Sequence, residues 1–166
     1  MALPNPGADF PVDLINSIIA KTGLKVEFDD DVLDHVLNMR YAGQQTFLAL
    51  SLLYDDAAWG TMQFHQDHLF AQSLFKPKEL SSLGRLNWLE QRDRLGNICL
   101  LLGHENVGKQ DMPMRDWLAT RDSGFLRRHL IPEDTSLWSF EQFPNFLQAR
   151  ENLIRHRLRM LFVATP

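Results

Sequence analysis

GNICLLLGHENVGKQ, residues 96–110, passes from an apolar run into a polar one. Gly103, Gly108 and Lys109 fit G-x-x-x-x-G-K, the loop that cradles nucleotide phosphates, and an apolar strand leads in as that loop requires. Gln110 stands where Ser or Thr would hold magnesium. A nucleotide fold also needs several parallel βα units, and the sequence offers too few strands for them. The stretch reads instead as the second strand of a hairpin, over 96–103. The helix expected after it, over 104–121, has a first turn disturbed by Gly108 and Pro113.

The first strand lies upstream. GTMQFHQDHLF (60–70) has the pattern of a short strand ending in a polar cluster, and residues 76–94 read as a loop carrying a short helix. Before residue 60 the chain is helical, with helices over 9–21, 28–41 and 44–54. Asp29–Asp31 suits a helix N-terminus, where carboxylates meet unpaired N–H groups, better than a metal cluster. Residues 122–145 carry Gly124, Pro132 and Pro144 and resist assignment. A final helix over 146–162 places Leu147, Leu153, Ile154, Leu158 and Leu161 on an apolar stripe, with Arg150, Arg155, Arg157 and Arg159 largely elsewhere.

The totals fit one domain with a real core: 166 residues, 45% hydrophobic and 23% charged. No run could span a bilayer, and no basic-then-apolar leader opens the chain, so a cytoplasmic location is expected. The single cysteine, Cys99, lies in an apolar run and excludes both a disulfide framework and a cysteine-based zinc site. The net charge of −4 is uneven: residues 1–60 carry −6 and residues 61–166 carry +2. The first segment therefore looks like a packing or docking element, and a polyanion is better tolerated by the second.

FHQDHLF, LGNICLL and GHENVGK supply Asp67 beside His68, then Asn97 at a strand start, then Asn106 at a helix start. Strand, strand and helix with these residues at the junctions resemble the His-Asn-His nucleases, whose core is a β-hairpin packed on a helix around one metal ion. The resemblance is closer to the C-terminal nuclease domain of GmrSD-like modification-dependent restriction proteins. DHLF, LGNICLL and ENVGK match their motifs across roughly residues 62–118. The resemblance implies an α+β, mostly helical fold: a ββα-metal core over 60–121, an N-terminal helical segment over 1–59 and a C-terminal helical segment over 122–166. It also implies an intracellular DNA endonuclease acting in restriction or phage defence. An N-terminal nucleotide-binding regulatory domain is expected as a partner. Two departures are visible: Ala71 replaces a usual proline, and residues 75–95 form an insertion between the strands.

The chemistry accounts for the residue types. Phosphodiester cleavage needs a base for water and a positive charge at the phosphate. Histidine titrates near neutrality and a hard divalent cation prefers oxygen ligands. By the resemblance, His68 is the general base, Asn97 orients its ring, and Asp67 and Asn106 hold one Mg²⁺ or Mn²⁺, with zinc disfavoured by the asparagine. Lys109 becomes a phosphate contact. Arg127, Arg128, Arg155 and Arg159 are candidates to follow the DNA backbone. His65, His104 and Glu105 are candidate supporting residues around the metal. Adjacent strand residues face opposite ways, so Asp67 and His68 converge only if the strand ends or bulges there. Other readings are a P-loop-like nucleotide binder, a partner-binding module with a decayed nuclease site, and a zinc hydrolase using His65, His68 and His104.

Overall fold

The computed structural model describes residues 29–54, 62–109 and 112–162. The architecture is mostly helical α+β, with a small antiparallel sheet. The helix expected over 9–21 lies outside the described residues.

Strand β1 (Phe64–His68) pairs antiparallel with β2 (Ile98–Leu102), placing Asp67 opposite Cys99 and His68 opposite Ile98. The insertion between them leaves this register intact. β2 reads ICLLL without alternation because both its faces are covered. Cys99 and Leu101 enter one apolar cluster, with Phe70, Trp117, Phe143 and Phe146. Ile98 and Leu100 enter a second, with Leu33, Leu37, Leu50 and Tyr54. β1 is polar by contrast, and only its last residue, His68, is buried.

The second cluster is built on α1 (Asp30–Leu37) and α2 (Gln44–Ser51). Asp29 caps α1 by accepting the Val32 N–H at 2.8 Å, so the acidic run serves a helix start. The connection between α1 and α2 runs beside the residues that precede β2. Arg40 bridges Arg94, and the Tyr41 N–H reaches the Asp93 carbonyl at 2.9 Å. The turn at Ala42 has φ +64°, and Gln66 of β1 holds it through the Ala42 N–H and the Gly43 carbonyl.

The insertion is ordered and contributes to the core. It carries α3 (Pro77–Ser82) and α4 (Trp88–Gln91), and buries Phe75, Leu80 and Trp88 in the first cluster. After β2, α5 (Gly103–Lys109) packs on both strands. The single helix expected over 104–121 is two, α5 and α6 (Met114–Ala119), because Pro113 offers no N–H and stands as the N-cap of the second. The stretch that resisted assignment holds α7 (Ser123–Arg128), capped by Asp122, and a short 3₁₀ turn over Thr135–Trp138 capped by Asp134.

Helix α8 (Phe143–Phe162) spans both clusters, starting earlier than the expected 146. Phe143, Phe146 and Leu147 serve the first and Ile154 and Leu158 the second. Arg150 falls between them on the buried face, which corrects its placement off the apolar stripe. The spacing 147, 150, 154, 158 follows one helical face. Arg150 is fully buried, and its guanidinium donates to the carbonyls of Gly96 and Ile98 at 2.8 Å each and to that of His129 at 3.1 Å. Leu153, expected on the stripe, is 39% exposed. Gly96 meets the same helix so closely that a Cβ there would lie 2.7 Å from Glu151 Cγ and Leu147 Cδ1.

Candidate functional site

His68 ends β1, and the chain bends at Leu69–Phe70. Asn97 fixes that bend. Its carbonyl accepts the Leu69 N–H at 2.8 Å, and its side-chain Oδ1 accepts the Phe70 N–H at 3.0 Å. Its Nδ2 donates to the Phe70 carbonyl at 3.2 Å and to the Arg92 carbonyl at 2.8 Å. Asp67 faces the first cluster with Cys99, and His68 faces the second with Ile98, as strand alternation demands. Because the strand stops at His68, both side chains still reach one polar pocket of about 240 Å³ at the sheet end, with Tyr41, Ala71, Gln72, Ser73 and Lys109 around it.

The expected Asn97–His68 contact is replaced. His68 Nε2 lies 2.9 Å from Asp93 Oδ1, and Asn97 acts on the backbone beside Asp93 instead. The Tyr41 ring lies against the imidazole at 4.3 Å between centroids. With Nε2–H donating to Asp93, the Nδ1 lone pair has no hydrogen bond from a described residue. Burial pushes the His68 pKa below its ordinary value, against the opposing bond and charge of Asp93. The ring is therefore neutral at pH 7 and able to accept a proton.

Burial works to raise the Asp93 pKa, but hydrogen bonds from Arg92, Gln72 and His68 outweigh it and hold the carboxyl well below the usual range. Arg92 Nη2 reaches Asp93 Oδ2 at 2.7 Å and Gln72 Nε2 reaches Oδ1 at 3.0 Å. Asp93 is thus a fixed negative charge behind the imidazole. Neither Asp93 nor Tyr41 stood out in the sequence. Asp93 lies 25 residues from His68 inside the charged insertion, and Tyr41 belongs to the segment read as a packing element.

Lys109 is 3% exposed. Its Nζ lies 2.6 Å from Asp67 Oδ2, 2.5 Å from the His68 carbonyl oxygen and 5.4 Å from the Trp117 ring centre. Asn106, one turn earlier on α5, is half-buried, lies outside the pocket lining and makes no hydrogen bond to Asp67. Among the described residues, no group of three or more His, Cys, Asp or Glu side chains is placed to hold a metal ion.

His65 and His104 are both exposed, His65 opposite Leu101 and His104 in the first turn of α5. Glu105 accepts the Leu102 N–H at 2.9 Å and so serves the start of its own helix. Arg155 and Arg159 are hydrogen-bonded to Asp34 and Asp30 and tie α8 to α1. Arg127 is exposed, and Arg128 lies 5.1 Å over the Tyr54 ring.

No protein-family model matches the chain, and no match is found among curated proteins. Among the described residues, no helix is long and apolar enough to cross a membrane.

Proposed function

We propose that this chain is a metal-dependent DNA endonuclease of the His-Asn-His type, acting in restriction or phage defence. The observation that carries the reading is the His68–Asp93 pair at the open end of an antiparallel hairpin packed on a helix, facing a polar pocket that Asp67 shares. A buried neutral imidazole oriented by a carboxylate is the arrangement a general base requires.

Asp67 is the one carboxylate among the described residues that line the pocket, and the Lys109 ammonium engages it. Lys109 Nζ sits between a carboxylate oxygen and a carbonyl oxygen, both hard donors of the kind Mg²⁺ and Mn²⁺ prefer. The resemblance implies Asp67 and Asn106 as the ligands of such an ion; of the two, only Asp67 lines the pocket. When bound, the ion supplies positive charge to the phosphate and the leaving oxygen. The remaining work falls to the chain. His68 Nδ1 takes a proton from water, and the resulting hydroxide attacks phosphorus. The bond from phosphorus to the 3′ oxygen breaks, and that oxygen takes up a proton, leaving 5′-phosphate and 3′-hydroxyl ends. Asp93 holds the ring in place and stabilises the imidazolium formed.

Plasmid cleavage with Mg²⁺ or Mn²⁺ tests the reading. The wild type nicks or linearises the plasmid, and His68→Ala and Asn106→Ala lose that activity. A His68→Ala protein that cuts as fast as the wild type overturns the mechanism.

A further inference from the structure

We infer that Tyr41 is a stacking platform for an unpaired base, so that the site takes its nucleic acid as a single strand. The inference rests on the nuclease reading for a nucleic-acid substrate, and adds the form in which the strand enters. His68 is recessed, at 5% exposed, whereas Tyr41 lines the same pocket and is 39% exposed. The imidazole covers part of the phenol ring, and the remainder meets solvent.

One residue sets both rings. The Asp93 carboxylate holds His68 Nε2 at 2.9 Å, and the Asp93 carbonyl accepts the Tyr41 N–H at 2.9 Å. On the other side, Gln66 bonds the Ala42 N–H and the Gly43 carbonyl. Ala42 has φ +64°, a conformation that a residue with a side chain keeps only where its neighbours over-determine it. Tyr41 is therefore positioned before any ligand arrives, and little freedom is lost when a base meets it.

Charge gives the pocket little hold on a phosphate. Asp67 and Lys109 of its lining neutralise each other at 2.6 Å, and the carboxylate behind His68 is paired with Arg92. A base stacked on an aromatic ring binds through its π-face and needs no net charge. A duplex turns its bases inward beneath its phosphates, so a ring beside a phosphate meets none of their faces. A single strand splays its bases, and one can lie on Tyr41 while the neighbouring phosphate faces His68.

Fluorescence anisotropy of a labelled DNA oligonucleotide, in EDTA so that binding is read apart from cutting, tests the inference on the whole protein. The single strand is expected to bind at least about tenfold more tightly than the duplex of the same sequence. Tyr41→Ala weakens the single strand by at least about fivefold, and Tyr41→Phe and Tyr41→Trp keep it within about twofold of the wild type. A single strand of abasic sites, with the same phosphates, binds the wild type as weakly as the intact strand binds Tyr41→Ala. A duplex held as tightly as the single strand overturns the inference. So does a Tyr41→Ala protein that binds the single strand as the wild type does, or a Tyr41→Phe protein that fails along with Tyr41→Ala. Cleavage is scored separately: Tyr41-dependent binding without cutting sinks the nuclease reading alone, and cutting with binding indifferent to Tyr41 sinks this inference alone.

Discussion

Asn97 and Phe70 are joined by a closed pair of hydrogen bonds, Phe70 N–H to Asn97 Oδ1 at 3.0 Å and Asn97 Nδ2 to the Phe70 carbonyl at 3.2 Å. Asn97 is fully buried, and the same Nδ2 holds the Arg92 carbonyl. Asn97→Ala leaves these buried groups unpaired. It is expected to cost about 2–4 kcal/mol in urea unfolding. A loss under about 0.5 kcal/mol, the range of an ordinary surface change, would show that the ring of bonds does not clamp the bend.

In the proposed mechanism Asp93 acts through His68, which it holds at 2.9 Å. Asp93→Asn is expected to lower kcat by about 10–100-fold while KM changes less than about threefold, because the ring loses its orienting charge and substrate contacts are untouched. Asp93→Glu restores part of the rate. A change confined to KM would place Asp93 in substrate binding instead.

Arg150 makes its hydrogen bonds to backbone carbonyls at the junction of the two apolar clusters. Burial lowers its pKa from the usual value. Replacing it with Met leaves several buried carbonyls without donors, with an expected loss of at least about 3 kcal/mol. Arg150→Lys recovers little, since one ammonium cannot reproduce the planar fork. Thermal unfolding of the two variants checks both statements, and a lysine variant as stable as the wild type would refute the second.

His129 is expected to make the protein acid-sensitive. Its Nδ1 lies 2.9 Å from the Tyr54 hydroxyl, and burial, with Arg128 and Arg150 nearby, depresses its pKa to about 3. The unfolded chain protonates this histidine near 6.5 and the folded chain does not, so the unfolded state binds more protons between those values. Stability should therefore fall as the pH drops from 6.5 toward 3, by an amount on the order of 4 kcal/mol from this group. His129→Gln should flatten that part of the stability–pH curve measured by denaturant unfolding. An unchanged slope would assign the acid sensitivity elsewhere.

The arginines separate by their surroundings. Arg127 is exposed, whereas Arg159 bonds Asp30. Arg127→Ala is expected to reduce the slope of log affinity for DNA against log salt by about one, and Arg159→Ala to leave it nearly unchanged. Equal effects from the two would mean that the Asp30 pair opens on binding.

The elements that were legible in the sequence are those whose signal is local. The apolar run ICLLL, the capped start at Asp29 and the long apolar face ending at Leu158 each declare themselves within one or two helical turns. The adjacency of Asp67 and His68 is also local, and so is the strand end that lets both reach one pocket. What stayed hidden depends on contacts between distant residues. Asp93 resembles any solvated carboxylate until the hairpin closes beside it. Arg150 is hidden for another reason: an arginine's charge argues for the surface, and only its place on the helical face argues for burial. The role expected for Asn97 was displaced for a related reason: its amide is consumed by nearby backbone groups before it can reach the imidazole.

The attachment of Arg150 to Gly96 and Ile98 also sets an order of events during synthesis. The chain leaves the ribosome from its N-terminus, so β1 emerges first and waits through the whole insertion for its partner strand. Even then the start of β2 lacks the donors that satisfy its carbonyls until α8 has emerged and docked. The start of β2 is therefore fully satisfied only once residue 150 is in place. A truncated product ending before residue 150 would carry Asp67, His68 and Asp93 without the fastening that brings them together.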